Sequence, residues 1–159
     1  MLPAIGIVVW LVLFVFALRG ARWAYAIFVV LAFVWIPART GFHLHPPPCQ
    51  MQFTRELVLG SIIKYKHISL WAAFFLMTWV QFRRTPYALL IAAAATLAVG
   101  ILIELEEGAT GTGYCKATDL LPDLTGALIG TVIAALWRWR DAKAGRTETH
   151  DPACAGDGR

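Results

Sequence analysis

The stretch ILIELEEGATGTGYCKATDLLPDLTGALIG, residues 101–130, joins the end of one apolar segment to the start of the next. It carries five acidic residues, which are Glu104, Glu106, Glu107, Asp119 and Asp123. A carboxylate near hydrocarbon is costly, so such groups usually face a protein interior or a water-filled pocket and often mark function. The pattern therefore predicts a helical hairpin of a membrane protein, with its working site at the polar end of the hairpin.

The composition of the whole chain agrees with a membrane protein. Of its 159 residues, 58% are hydrophobic and only 15% are charged, and its mean hydropathy is +0.63. A soluble domain has about 25% charged residues. We therefore expect one transmembrane domain over residues 1–139, followed by a polar, disordered cytoplasmic tail over residues 140–159. The basic residues behind the formal charge of +4 lie largely between the apolar runs, where such residues set the topology. The sequence contains no motif for nucleic-acid binding.

The apolar runs predict an all-α bundle of about five transmembrane helices. These runs are Leu2–Leu18, Trp23–Pro37, Ile68–Phe82, Tyr87–Leu105 and Asp119–Trp139. The first run would also suit a signal peptide, but no Lys or Arg precedes Arg19, so a retained helix is expected.

Basic residues predict how the bundle is oriented. The short connectors with Arg19 and Arg22 and with Arg83 and Arg84 fall on the same side as the basic segment after Trp139. Because positive residues accumulate on the cytoplasmic side, the C-terminus should lie inside and the N-terminus outside. The loops around residues 38–63 and 106–118 then face outward.

A polar cluster is predicted at the outer end of the bundle. Asp119, Asp123, Gly126 and Gly130 follow each other at spacings of four, three and four, which places them on one helix face. The two glycines predict close packing against another helix, with the acids on the same seam. The candidate polar cluster consists of Lys64, His67, Glu104, Glu107, Asp119 and Asp123. A purely structural role is the alternative, since buried charges pair because unpaired ones are expensive.

The same residues resemble a known motif set. Lys64-x-x-His67 with Trp71, then Glu104-x-x-Glu107, then Asp119-x-x-x-Asp123-x-x-Gly126-x-x-x-Gly130 resemble, in order and spacing, three motifs of VanZ-like membrane proteins over about residues 60–137. Four positions depart from the family pattern: Ile63 replaces an Asp, Glu107 a Gln and Asp123 an Asn, and an expected Arg is missing, with Lys116 the nearest basic residue. The cluster is therefore more acidic than the family pattern.

The resemblance implies a multi-pass protein of the bacterial inner membrane, in a cell-envelope family whose founder is tied to glycopeptide antibiotic resistance. The expected partners are membrane lipid and a lipid-linked envelope precursor or a drug at the polar cluster. One alternative is a small accessory or assembly subunit of a larger membrane complex. Another is an intramembrane enzyme that uses carboxylates such as Glu104 and Asp119 as acid and base. Whether there is turnover stays open.

Three cysteines complete the candidate residues. Cys49 and Cys115 fall on the two outward loops and could form a disulfide in an oxidising compartment, whereas Cys154 on the tail would stay reduced. His43 and His45 with Cys49 have ligand chemistry, but their spacing is too common to indicate a metal site. We predict no metal and no cofactor.

Overall fold

The computed structural model describes residues 2–41, 49–111 and 115–148. This part of the chain is all-helical, as predicted, and contains no strand beyond an isolated bridge between Gln50 and Lys116. The helices are α1 (Leu2–Leu18), α2 (Arg22–Thr40), α3 (Arg55–Ile62), α4 (Tyr65–Phe82), α5 (Ala88–Thr110) and α6 (Leu120–Glu148), with a 3₁₀ turn (Ala117–Asp119) just before α6.

Two segments are long and apolar enough to cross a membrane, namely Ala88–Thr110 and Ala117–Lys143. Shorter apolar stretches occupy Gly6–Leu18 in α1 and Arg22–Val34 in α2. Threonine hydroxyls inside the bundle are satisfied locally, because each donates to the backbone carbonyl four residues earlier; these are Thr78, Thr96, Thr125 and Thr131. Such internal bonding suits a helix that has no water beside it.

Several helix boundaries differ from the expected ones. The helix expected to begin at Ile68 begins at Tyr65, and α3 precedes it as a separate short helix capped by the Thr54 hydroxyl, which accepts from the Leu57 N–H at 3.3 Å. α2 continues past Pro37, and α6 continues past Trp139 to Glu148. Residues 140–148 are thus helical where an irregular tail was expected, because Ala, Lys, Arg and Glu favour helix.

α4 is the central helix, since it contacts α1, α2, α5 and α6. On one side its Trp71, Phe74 and Met77 form an apolar core with residues of α1 and α2. On the other side its Phe75 and Trp79 form a second core with alanines of α5 and α6. Both faces of α4 are therefore buried, which fixes the position of its polar N-terminal turn against the neighbouring helices.

Small residues allow the helices around α4 to approach closely. On α6, a Cβ added to Gly126 would lie 2.6 Å from the Ile68 carbonyl oxygen, and one added to Gly130 would lie 2.7 Å from the Phe75 ring. On α5, every fourth residue is buried in a small-residue stripe that includes one acid: Ala88, Ala92, Thr96, Gly100, Glu104 and Gly108. The stripe carries Glu104 into the bundle, whereas an ordinary interfacial glutamate would face solvent.

Candidate functional site

The polar cluster lies at one end of the bundle, where α4 begins, α5 ends and α6 begins. Lys64 is the residue just before α4, and His67 lies in the first turn of that helix. Glu104 and Glu107 lie in the last turns of α5. The chain then returns through the 3₁₀ turn, which ends at Asp119, and Asp123 follows in the first turn of α6. Three helix ends therefore supply the cluster.

Lys64 and Asp119 form the first pair of the cluster. The Lys64 Nζ donates to Asp119 Oδ1 at 2.5 Å, and the side chains are 38% and 15% exposed. A charge-assisted hydrogen bond of this kind is short and directional. Because the lysine is partly solvated, the pair contributes about 1 kcal/mol or less to stability. It joins the start of α4 to the start of α6.

His67 and Asp123 form the second pair, which is incomplete. His67 Nδ1 lies 3.9 Å from Asp123 Oδ1, beyond hydrogen-bonding distance, and the side chains are 43% and 2% exposed. Both atoms are buried, and neither has a hydrogen-bond partner among the described residues. Buried polar groups nearly always have a partner, so this unsatisfied pair is an exception that needs an explanation.

Glu104 is buried on the α5 side of the cluster. Its Oε2 accepts a hydrogen bond from the backbone N–H of Lys116 at 3.2 Å, and the residue is 7% exposed. The carboxylate is therefore held by the loop that leads into α6. This contact ties the last turns of α5 to the returning chain.

A disulfide holds that loop in place. Cys49 and Cys115 are bonded, with their Cα atoms 4.6 Å apart, so the structure contains the pairing that the sequence left open. Beside the bond, the Gln50 N–H donates to the Cys115 carbonyl at 2.8 Å, and the Ala117 N–H donates to the Gln50 carbonyl at 3.1 Å. The segment before α3 is thereby fixed against the segment that supplies the partner of Glu104.

Two glycines of α5 make room for the site. A Cβ added to Gly100 would lie 2.7 Å from Asp123 Oδ2 and 3.7 Å from the Trp71 ring. A Cβ added to Gly108 would lie 3.0 Å from the Cys115 Cβ. Gly100 therefore permits the buried position of Asp123, and Gly108 permits the approach of the disulfide.

Some of the remaining polar residues lie near the cluster, and others lie outside the described residues. Glu107 is partly buried one turn from Glu104, and Lys66 is exposed. Glu106 is only partly exposed, and its Oε2 is buried without a hydrogen-bond partner among the described residues. His43, His45 and Cys154 lie outside the described residues, and no group of three or more potential metal ligands occurs within the described part of the chain.

The parts of the site that form only where two segments of the chain meet were not predicted from the sequence. Gly100 and Gly108 lie on the small-residue stripe, whose spacing of four from Ala88 onward was visible in the sequence. The backbone N–H of Lys116 carries no sequence signal as the donor to Glu104. Gln50 likewise is part of the site only because the disulfide brings its backbone beside Cys115.

Comparison with known proteins does not identify the chain. No family model, no curated protein and no solved structure matches it. The order of Lys64, His67, Glu104, Asp119 and Asp123 along the sequence and their proximity in space are therefore the basis for any functional conclusion.

Proposed function

We propose that this chain is a VanZ-like multi-pass membrane protein of the cell envelope whose polar cluster binds the polar head of an amphiphilic molecule, such as a lipid-linked precursor or a drug. The observation that carries the proposal is the unpaired Asp123 oxygen beside His67 Nδ1. A side chain that is 2% exposed holds an acceptor that no described residue satisfies. A donor group of a ligand would complete it.

The charge distribution supports a bundle of five spans made by α1, α2, α4, α5 and α6. At the end opposite the polar cluster, the turns between α1 and α2 and between α4 and α5 line one cleft with Arg19, Arg22, Arg83 and Arg84. Positive residues favour the cytoplasmic side, which would place the polar cluster outside. The disulfide at the cluster end supports the same orientation, because disulfides persist in oxidising compartments.

The access to the cluster also favours binding of a membrane-borne molecule. Lys64 and His67 are 38% and 43% exposed, whereas Asp123 behind them is 2% exposed. The cluster is thus open on the α4 side and closed on the α5 and α6 sides. A head group that approaches along α4 would pass the Lys64–Asp119 pair and then His67 before it reaches the buried Asp123 carboxylate.

The test is native mass spectrometry of the protein released in nanodiscs from its own membrane. We expect a lipid-sized adduct on the unchanged protein and at least about a tenfold loss of that adduct in Asp123→Asn, because a hydrogen bond to a charged group contributes about 1.5–3 kcal/mol. Asp141→Asn is the matched control, since Asp141 is an exposed acid far along α6. Equal adduct on both variants would overturn the proposal, and a stable assembly with other proteins and no adduct would favour the accessory-subunit alternative.

A further inference from the structure

An apolar cavity lies between α1, α2, α4 and α5, beside the polar cluster. Its volume is about 140 Å³, and its wall includes Trp10, Phe28, Trp71, Phe74 and Val99. An engineered apolar cavity of about 150 Å³ stays dry and takes up benzene. The cavity in this protein is therefore of a size and chemistry to take a short piece of hydrocarbon.

An open apolar groove along α1 adjoins the cavity and shares four lining residues with it. The groove measures about 450 Å³ and includes Gly6, Ile7 and Leu11. Trp10 and Leu70 are among the residues that border both the groove and the cavity. A chain lying in the groove could thus insert one end into the cavity without crossing a polar surface.

The cavity and the polar cluster share a wall. Trp71 lines the cavity, and its ring also lies 3.7 Å from the Cβ position of Gly100, where Asp123 packs. Along α4, His67 precedes Leu70 and Trp71 by three and four residues, so the three share one face. One face of α4 therefore runs from the open side of the polar cluster to the apolar cavity.

The unpaired acceptor at this end of the bundle favours a cationic head that can donate hydrogen bonds. The ends of α4, α5 and α6, with the turn before α6, supply five acidic residues and three lysines: Glu104, Glu106, Glu107, Asp119 and Asp123, with Lys64, Lys66 and Lys116. An ammonium group has only donors to offer, which suits the unpaired oxygen of Asp123. A deprotonated phosphate or carboxylate head offers only acceptors, so it would leave that oxygen unpaired.

We infer that the ligand is an amphiphile with an ammonium head, which binds at His67 and Asp123 while its hydrocarbon chain occupies the cavity behind Trp71. This inference rests on the proposed function, to which it adds the head chemistry and the seat of the chain. The groove along α1 is the entry from the surrounding lipid. The Trp71 side chain lies between the ammonium head of the ligand and its hydrocarbon chain.

The test uses an alkylamine that carries a photoactivatable diazirine on its chain, added to the full-length protein in nanodiscs. We expect crosslinks at the cavity residues of α1, α2 and α4, competed by an unlabelled alkylamine at least about tenfold better than by the alcohol of the same chain length. Ala73→Phe and Ala32→Phe fill the cavity from α4 and from α2, and each should reduce crosslinking by about tenfold or more. Leu128→Phe, at a 66% exposed position on α6, is the control.

The crosslinking results that would contradict the inference have different meanings. If both cavity-filling variants bind the probe normally while Asp123→Asn loses it, the chain does not use the cavity, and the proposed function stands without this inference. If the alcohol competes as well as the amine, the ammonium assignment is overturned. If Asp123→Asn and the unchanged protein crosslink alike, with the cavity-filling variants also unaffected, the inference and the proposed function fail together. Two cavity-filling variants are used so that misfolding of one does not decide the result.

Discussion

Asp123 holds its carboxylate inside the bundle, with one oxygen that has no hydrogen-bond partner among the described residues. Burying a polar group without a partner costs about 1–3 kcal/mol, and a charge costs more. The position is thus unfavourable for stability when nothing is bound. Such a cost is expected at a site whose partner is a ligand.

We therefore predict that Asp123→Asn stabilises the ligand-free protein while it removes binding. The neutral amide avoids the cost of a buried charge, so the free energy of unfolding should rise by about 1 kcal/mol or more. Thermal unfolding in lipid-free detergent measures this, with Asp141→Asn as the exposed control. A loss of stability in Asp123→Asn alone would indicate that the carboxylate is structural.

Gly126 offers a second prediction for a single residue. An added Cβ would lie 2.6 Å from the Ile68 carbonyl and 2.9 Å from the Ala72 backbone nitrogen, and backbone atoms cannot move aside as a side chain does. Gly126→Ala should therefore destabilise the protein by about 1–3 kcal/mol. Chemical or thermal unfolding in one detergent is the measurement.

The matched control for that prediction is Gly60→Ala on α3. Its added Cβ meets nothing within 4 Å. Alanine is preferred to glycine in a helix by about 1 kcal/mol, so this variant should be neutral or slightly more stable. Equal destabilisation of both variants would contradict the packing explanation for Gly126.

At the scale of helices and loops, the disulfide connects the segment before α3 to the segment before α6. Cys49 and Cys115 are 66 residues apart, so the bond closes a long loop and restricts the unfolded chain by about 4 kcal/mol in the chain-entropy treatment. It also holds the segment whose Lys116 N–H donates to Glu104. Its loss should weaken both the fold and the polar cluster.

We predict that Cys49→Ser lowers the unfolding free energy by about 2–4 kcal/mol and weakens adduct binding, whereas Cys154→Ser changes neither. Alkylation before and after reduction, followed by mass measurement, checks the pairing. One cysteine of three should react before reduction, and all three after it. Reaction of Cys49 and Cys115 in the unreduced protein would rule out the bond.

The features that could be predicted are those whose sequence pattern lies within a single helix. The spacing of Asp123, Gly126 and Gly130 indicated one buried face of α6, and the structure places all three against α4 or α5. The contact between Gly100 and Asp123 was not predicted, because it depends on a residue from another helix. The start of α4 at Tyr65 was also not predicted, since Lys64 and Lys66 interrupt the apolar pattern that marks a span.

At the scale of the whole molecule, the two ends of the bundle differ in charge. Acidic residues and the disulfide lie where α5 ends and α6 begins, and Arg19, Arg22, Arg83 and Arg84 line a cleft at the opposite end. The sequence predicted which connectors share a side, because helices that span alternate in direction. It did not predict that the two basic turns come together in one cleft, since this requires α1 and α2 to pack beside α4.

This asymmetry predicts which end of the protein faces the cytoplasm. In a Cys154→Ser background with the disulfide intact, Glu56→Cys on α3 and Arg84→Cys after α4 provide single thiols at opposite ends. We expect a membrane-impermeant maleimide to label Glu56→Cys in intact cells and Arg84→Cys only after permeabilisation, because positive residues stay on the cytoplasmic side. The reverse pattern would place the polar cluster in the cytoplasm, where a disulfide seldom persists, and would exclude a ligand that approaches from outside. Labelling of both thiols in intact cells would contradict a fixed orientation across the membrane.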